Sequence, residues 1–239
     1  MTPSAAIRHH FTVDVEEYFQ VAAMAPHVSR SSWDNIPTRL EVGMRPIIDL
    51  LAESNAKGTF FILGWIAKRH PALVKELAAA GHEIASHGWG HEKVTDMTPD
   101  QFRESVRDSK QILEDLGGRP VLGYRAPSFS IVRGREWALD ILLEESYRYD
   151  SSLFPIKRPG YGFAGGERDH HQLRRPAGLL DELPPATVKL GGELLPAGGG
   201  AYFRIFPYAL IQAALRSASR RGQPATFYIH PWELDAQQP

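Results

Sequence analysis

Residues 10–19 read "HFTVDVEEYF". Phe11, Val13 and Val15 alternate with Thr12, Asp14 and Glu16, the period of two that marks a β-strand with one apolar face. If the strand runs on to residue 16, both carboxylates face the same side and Glu17 turns away. Two acids on one strand face suit a division of labour, one binding a cation and the other accepting a proton, because the cation relieves their mutual repulsion. A solvated strand end with ordinary surface acids is the plain alternative.

Working outward, short β-branched or aromatic runs alternate with longer amphipathic segments, the pattern of βα units around a parallel sheet. The strand candidates are 10–15, 58–63, 82–86, 121–125, 147–149 and 225–230. Thr98-Pro99-Asp100-Gln101 combines an N-cap threonine, a first-turn proline and a glutamine able to close a capping box. Phe102, Val106, Ile112, Leu113 and Leu116 follow at helical spacing until Gly117-Gly118 ends the helix. Further helices are expected over 38–54, 71–80, 135–146 and 207–220. Residues 155–206 have recurrent glycine and proline and no helical period, so they read as loops and short strands hiding a small sheet, inserted before the last βα unit.

Bulk composition narrows the chemistry. With 239 residues the chain can bury a real core, and 27 basic against 28 acidic residues recruit neither nucleic acid nor an anionic membrane. The partner expected is a small or neutral molecule. Cysteine is absent, which excludes disulfides, thiolate-bound zinc and thiol catalysis. The start "MTPSAAIRHHFTVDVEE" lacks the apolar region of a secretory signal, and the longest apolar run, 59–67, is far short of a bilayer span. The sequence as written therefore reads as cytoplasmic, export remaining open if a leader is missing, with no transmembrane segment.

Parallel strands present functional groups at their C-terminal ends. Asp14 and Glu16 fall at the end of the first candidate, Ser86 and His87 on the third, Arg125 on the fourth, Asp150 on the fifth and His230 on the last. In "SHGWGH", residues 86–91, glycines at 88 and 90 disfavour a helical pair of ligands but permit a sharp turn that brings His87 and His91 to one point. Two imidazoles and one carboxylate make a three-ligand site with open positions for zinc or a similar first-row cation. A surface loop with two unrelated histidines is the plain alternative. In "FYIHPWELD" His230 ends the final strand, which in a βα barrel adjoins the first. Arg125 reads either as a surface cation or as the partner that holds a carboxylate ionised and oriented. Asp150 reads as a turn residue or as the acid that keeps a histidine protonated. His9-His10 and His170-His171 read as surface or packing residues, and His82 as structural.

Taken in order, Asp14 with Glu16, "SHGWGH", "RAPS", "YDSS" and "YIH" resemble the motif series of the metal-dependent polysaccharide deacetylases, carbohydrate esterases that include chitin and peptidoglycan N-deacetylases. The resemblance covers roughly residues 8 to 235. It implies one catalytic domain over 1–239, a distorted (β/α) barrel of about seven parallel strands with the glycine- and proline-rich insertion before the last unit. It also implies one divalent metal ion, zinc first, with cobalt, nickel, manganese or iron as alternatives, held by Glu16, His87 and His91. Asp14 would be the general base, Arg125 its partner, and His230 the proton donor to the departing amine, kept protonated by Asp150. The Ser128 backbone N–H would help stabilise the oxyanion, and Trp89, Phe129 and Trp232 are candidates for stacking on sugar rings. The substrate implied is an N-acetylated oligo- or polysaccharide.

The stretches "FTVDVEEYFQV", "SHGWGH", "YRAPSFSI" and "FYIHPWELD" look closest to a subgroup linked to bacterial exopolysaccharide and exosortase gene clusters. Two departures from the commoner family pattern stand out. Asp14-Val15-Glu16 replaces adjacent aspartates, which leaves Glu16 or Glu17 as the ligand, and Ser128 intervenes before the aromatic Phe129. A related amidohydrolase acting on a small cyclic amide or formamide, and an inactive carbohydrate-binding protein, are the rival readings.

Overall fold

The computed structural model describes residues 7–158 and 160–238; residues 1–6, on which part of the leader reading rests, lie outside them. In chain order the elements are β1 (His10–Val15), α1 (Leu40–Glu53), β2 (Thr59–Ile62), α2 (Gly64–Arg69), α3 (Pro71–Ala79), β3 (Glu83–Ser86), α4 (Pro99–Gly117), β4 (Gly123–Tyr124), α5 (Trp137–Glu144) and β5 (Tyr149–Asp150). The C-terminal part adds β6 (His171–Arg175), β7 (Gly178–Glu182), β8 (Thr187–Leu190), β9 (Glu193–Pro196), α6 (Gly200–Ile205), α7 (Tyr208–Arg220) and β10 (Thr226–Ile229).

One eight-stranded sheet runs β10-β1-β2-β3-β4-β5-β7-β6. Its strands are parallel from β10 to β7, and β6 pairs antiparallel with β7. This is the expected distorted (β/α) barrel, open as a half-barrel, and its seventh parallel strand is β7, which lies inside the region read as an insertion. The separate β8–β9 hairpin is the small sheet anticipated there. Segments flanking that hairpin cover the free edge of β10, with Ala186 N donating to Thr226 O at 2.8 Å and Tyr228 N to Gly198 O at 2.6 Å. An open strand edge would otherwise template pairing with another chain.

Helix α4 forms as its caps dictate. Gln101 N donates to Thr98 Oγ1, Thr98 N donates to Gln101 Oε1, and Gly118 closes the far end in the left-handed conformation at φ 65°. Its Phe102, Val106 and Leu113 are buried in the main core, where Ile112 and Leu116 pack at the margin. The strands at the sheet centre are shorter than the sequence suggests. β4 is two residues, and β5 holds Asp150 itself rather than ending before it. Parallel strands this short leave their last residues free to turn inward, which is where the polar groups sit.

His82 and the His10–His170 pair are structural, as expected. His82 Nδ1 faces Gly58 N at 3.2 Å, and His10 packs edge-on to His170 with ring centroids 5.0 Å apart. No helix among the described residues is long and apolar enough to cross a membrane.

Candidate metal centre

The period of two in β1 decides the site. Val13 and Val15 are fully buried on one face, while Thr12, Asp14 and Glu16, also buried, face the other. The register Val13↔Ile229 sets His230 next to Asp14, and the neighbouring registers bring the ends of β3, β4 and β5 to the same rim.

Glu16, His87 and His91 converge, one ligand atom from each lying within 4.8 Å of the others, and all three are buried. Glu16 Oε2 comes within 2.6 Å of His91 Nε2, yet this oxygen has no hydrogen-bond partner. A buried carboxylate oxygen with no donor is costly. Two ligand atoms that crowd without the alignment of a hydrogen bond point at a common centre, and one carboxylate with two imidazoles is a donor set suited to zinc or a similar cation. His87 Nδ1 donates to the carbonyl of Arg125 at 2.8 Å, which fixes the tautomer and leaves Nε2 as the free donor atom. Burial pushes His87 down to about 4, against the pull of Asp14 and Glu16, so the ring is neutral and able to ligate at pH 7. Burial alone would push the Glu16 carboxyl up, but the imidazoles of His91, His230 and His87 outweigh it and hold it at about 2.

The ambiguity between Glu16 and Glu17 is resolved by direction. Glu17 turns away and caps α1, accepting from Thr38 Oγ1, from Arg39 N at 3.2 Å and from Leu40 N at 3.3 Å. The turn between the histidines differs from its expected form. Gly88 is left-handed at φ 78°, but the second left-handed residue is His91 itself, at φ 59°, rather than Gly90. A non-glycine residue held there costs free energy and marks a position fixed by its surroundings.

Arg125 is fully buried and uses three nitrogens. Nη1 donates to Asp14 Oδ1 at 2.6 Å and Thr12 Oγ1 at 2.8 Å, Nη2 to Ser151 Oγ at 2.8 Å, and Nε to Ser151 O at 3.2 Å. The guanidinium also lies over the Phe61 ring, 4.1 Å from its centroid. Asp14 is therefore aimed by a rigid fork, with its Oδ2 left 3.9 Å from His230 Nε2.

Three expected roles change. Asp150 does not serve His230. Its carboxylate accepts from Ser152 Oγ at 2.6 Å and Ser152 N at 3.2 Å, and it pairs in register with Glu182 of β7. Burial pushes both carboxyls up, and their contact favours one shared proton. The acids facing His230 are Glu16, at 3.6 Å from Nε2, Asp14, and Glu233, at 3.4 Å from Nδ1. Burial disfavours charge on His230, but these carboxylates outweigh it and lift the imidazole to about 9.

Trp89 does not line the cavity over the metal ligands, although its own cleft reaches His91. It lines an adjoining cleft of about 850 Å³ together with Trp33, Lys93, Glu104 and Asp108. Trp232 lines the site, but one face stacks on His230 at 5.0 Å and its Nε1 donates to Glu16 Oε1 at 3.1 Å, so it orients a ligand rather than standing free.

Ser128 and Phe129 keep their places. Both line the cavity of about 360 Å³ above Glu16, His87 and His91. The chain passes through two consecutive left-handed residues, φ 55° and 50°, so Phe129 reaches the wall despite the interposed serine. Phe129 packs edge-on to Phe154 and Tyr228, making it a wall more than a platform.

Thr12, Ser151 and Glu233 were not singled out from the sequence. Thr12 shares the strand face of Asp14 two residues on, and that spacing was a usable signal. Tyr161, Tyr202 and Tyr228 reach the same cavity from distant segments and left no local sign.

Residues 25–136 match the family model described as polysaccharide deacetylase, and residues 151–239 match one described as a domain of unknown function, DUF3473. A peptidoglycan-N-acetylglucosamine deacetylase of Bacillus cereus is 33% identical over 95 residues, 39% of this chain and 34% of that protein. The chain spans about a third of the length of the curated relatives it matches. A solved polysaccharide-deacetylase-type structure from Mycobacterium smegmatis superposes with a TM-score of 0.66 at 24% identity, over 97% of this chain and 82% of that one. Puue allantoinase superposes with a TM-score of 0.65 at 18% identity, over 97% and 80%.

Proposed function

We propose that this chain, whose residues 25–136 match the polysaccharide deacetylase model, is a member of that family and a metal-dependent hydrolase that removes N-acetyl groups from a polysaccharide containing N-acetylated amino sugars. The observation that carries the reading is the convergence of Glu16, His87 and His91 beside an Arg125-held Asp14 and a His230 that faces it. A divalent cation bound by those three residues would polarise the acetyl carbonyl and acidify a water, as Lewis-acid sites do.

The chain's own groups supply the rest. Asp14, aimed by Arg125, accepts the proton of the attacking water through Oδ2, the oxygen not bound to the guanidinium. His230, whose Nε2 lies 3.9 Å from Asp14 Oδ2, delivers a proton to the departing amine. The Ser128 backbone N–H lies on a left-handed turn in the cavity wall and adds a donor for the developing oxyanion. Phe129, Tyr228 and Trp232 enclose the acetyl group and limit water.

Two features favour a polymer over a small cyclic amide. The cavity above the ligands adjoins the larger cleft, His91 and Lys93 lining both, and sugars beyond the one that reacts would find room there. The family-matched segment also resembles an enzyme named for N-acetylglucosamine in peptidoglycan. The exopolysaccharide setting rests on the motif details quoted from the sequence. Both matched segments contribute strands to one sheet, which supports a single catalytic domain.

The test is acetate release from N-acetylglucosamine oligomers by zinc-loaded protein, with metal content measured in parallel. Native protein should turn over and His87→Ala should lose both metal and turnover. Hydrolysis of a cyclic amide without acetate release would transfer the assignment to the amidohydrolase reading, and bound metal without either activity would mark an inactive site.

A further inference from the structure

His230 is held on several sides by neighbouring side chains. Trp232 stacks on one face with the rings 21° from parallel, and Tyr228 meets the ring edge-on at 5.7 Å. Behind it lies Glu233, whose side chain is 3% exposed. Glu233 Oε2 accepts from His230 N at 2.9 Å and lies 3.4 Å from Nδ1, an ion-pair contact in which Nδ1 has no aligned hydrogen-bond partner, while Oε1 faces Arg204 at 3.4 Å. A buried carboxylate without cationic or donor partners is strongly disfavoured, and its near partners here are this histidine and Arg204.

The surrounding chain makes room for that carboxylate. A Cβ on Gly200 would lie 2.0 Å from Glu233 Oε2, so a side chain at residue 200 would push the carboxylate out of its present place. His230, Glu233 and Gly200 all belong to the segment matched as a domain of unknown function.

We propose that Glu233 is the positioning residue of His230. Its carboxylate, bound to His230 N and set against the Nδ1 side of the ring, draws the Nδ1 proton and thereby keeps Nε2 toward Asp14 and Glu16, where the amine leaves. This task was expected of Asp150, which instead is bound to Ser152 and paired with Glu182. The inference rests on the hydrolase reading for its catalytic consequence, and on the geometry alone for the placement of the proton on Nδ1.

An amine leaves an amide only if it is protonated, whereas 4-nitrophenolate leaves an acetate ester as a stable anion and needs no acid. Zinc-loaded native protein, Glu233→Gln and Gly200→Ala should be compared on N-acetylglucosamine oligomers and on 4-nitrophenyl acetate. Glu233→Gln can keep an acceptor for His230 N. It should lower kcat on the amide about 100-fold with KM within about 2-fold, and lower the ester rate by less than about 3-fold. Gly200→Ala, which crowds the carboxylate without altering any charged residue, should show the same selective loss. Equal losses on both substrates would mean a merely structural role and overturn the proposal, as would an unchanged amide rate.

A second measurement needs no substrate. In protein labelled with ¹⁵N-histidine, His230 Nδ1 should carry a proton in the native chain and change its signal in Glu233→Gln. An unprotonated native Nδ1, or a signal indifferent to the substitution, would overturn the proposal. Native protein that hydrolyses neither substrate would refute the hydrolase reading, while the Nδ1 signal would still decide the placement of Glu233.

Discussion

Replacing Arg125 by lysine keeps a positive charge beside Asp14 and removes the fork that aims it. The guanidinium bridges Asp14 and Thr12 on one side and the Ser151 carbonyl and hydroxyl on the other. One ammonium placed at Asp14 and Thr12 gives up both bonds to Ser151. Ser151 Oγ keeps its bond to Leu183 O at 2.7 Å, so the uncompensated group is the buried Ser151 carbonyl. Its unsatisfied acceptor and the lost charged bonds together cost about 2–4 kcal/mol of stability, within reach of a domain whose total is about 5–15 kcal/mol.

The effect on catalysis is separable from that loss. A shift of about 1 Å in the general base costs on the order of 100-fold in kcat. Metal content should stay at about one ion per chain, because His87 is held by the backbone carbonyl of residue 125 and not by its side chain. The decisive assay is a double-mutant cycle on acetate release with Asp14→Asn, which should by itself cost about 10²- to 10⁴-fold. If Arg125 acts through Asp14, adding Arg125→Lys to Asp14→Asn should cost less than about 3-fold more. Losses that multiply in full would show that Arg125 has a separate task and refute the reasoning.

Glu17→Ala should lower stability by about 1–2 kcal/mol, read as a shift in the urea midpoint, and leave metal content unchanged, because Glu17 caps α1. Glu16→Ala should instead abolish metal binding, and an atomic-absorption reading with the two outcomes exchanged would reverse the ligand assignment. The metal-free protein should weaken in acid through His87. With a folded value of about 4 against 6.5 unfolded, the neutral ring's contribution is fully present above pH 6.5 and is lost as pH falls toward 4. Between pH 7.5 and 4.5 this amounts to roughly 2.5 kcal/mol, and the difference in urea midpoint between native and His87→Gln should shrink or reverse accordingly. Trp89→Ala should raise KM for long oligomers more than for short ones, because Trp89 lines the adjoining cleft and not the cavity over the ligands; equal effects at all lengths would return it to the reacting centre.

Local periodicity carries much of this protein. The alternation in 10–16 fixes which side Asp14 and Glu16 face, and Thr98 to Gly118 specifies α4 from cap to cap, because both depend on neighbours within a few residues. The position of His230 beside Asp14 was also legible, since the last strand of a βα barrel must adjoin the first.

Only the tertiary structure decided between groups that are locally alike. Glu17 is as acidic as Glu16, and only the approach of Arg39 and Leu40 N–H groups assigns it to a helix end. Asp150 and Glu233 are both acids near strand ends. Their partners depend on β7, which rises from a glycine- and proline-rich stretch to lie against β5, and on Gly200, which leaves room behind His230. Those contacts join residues far apart in the chain, and side-chain direction after a sharp turn, as at Trp89 and His91, is set by packing that no local period encodes. The sequence by itself determined the strand faces and the kinds of side chain at the rim; packing determined which acid joins His87 and His91, which caps the helix and which lies against His230.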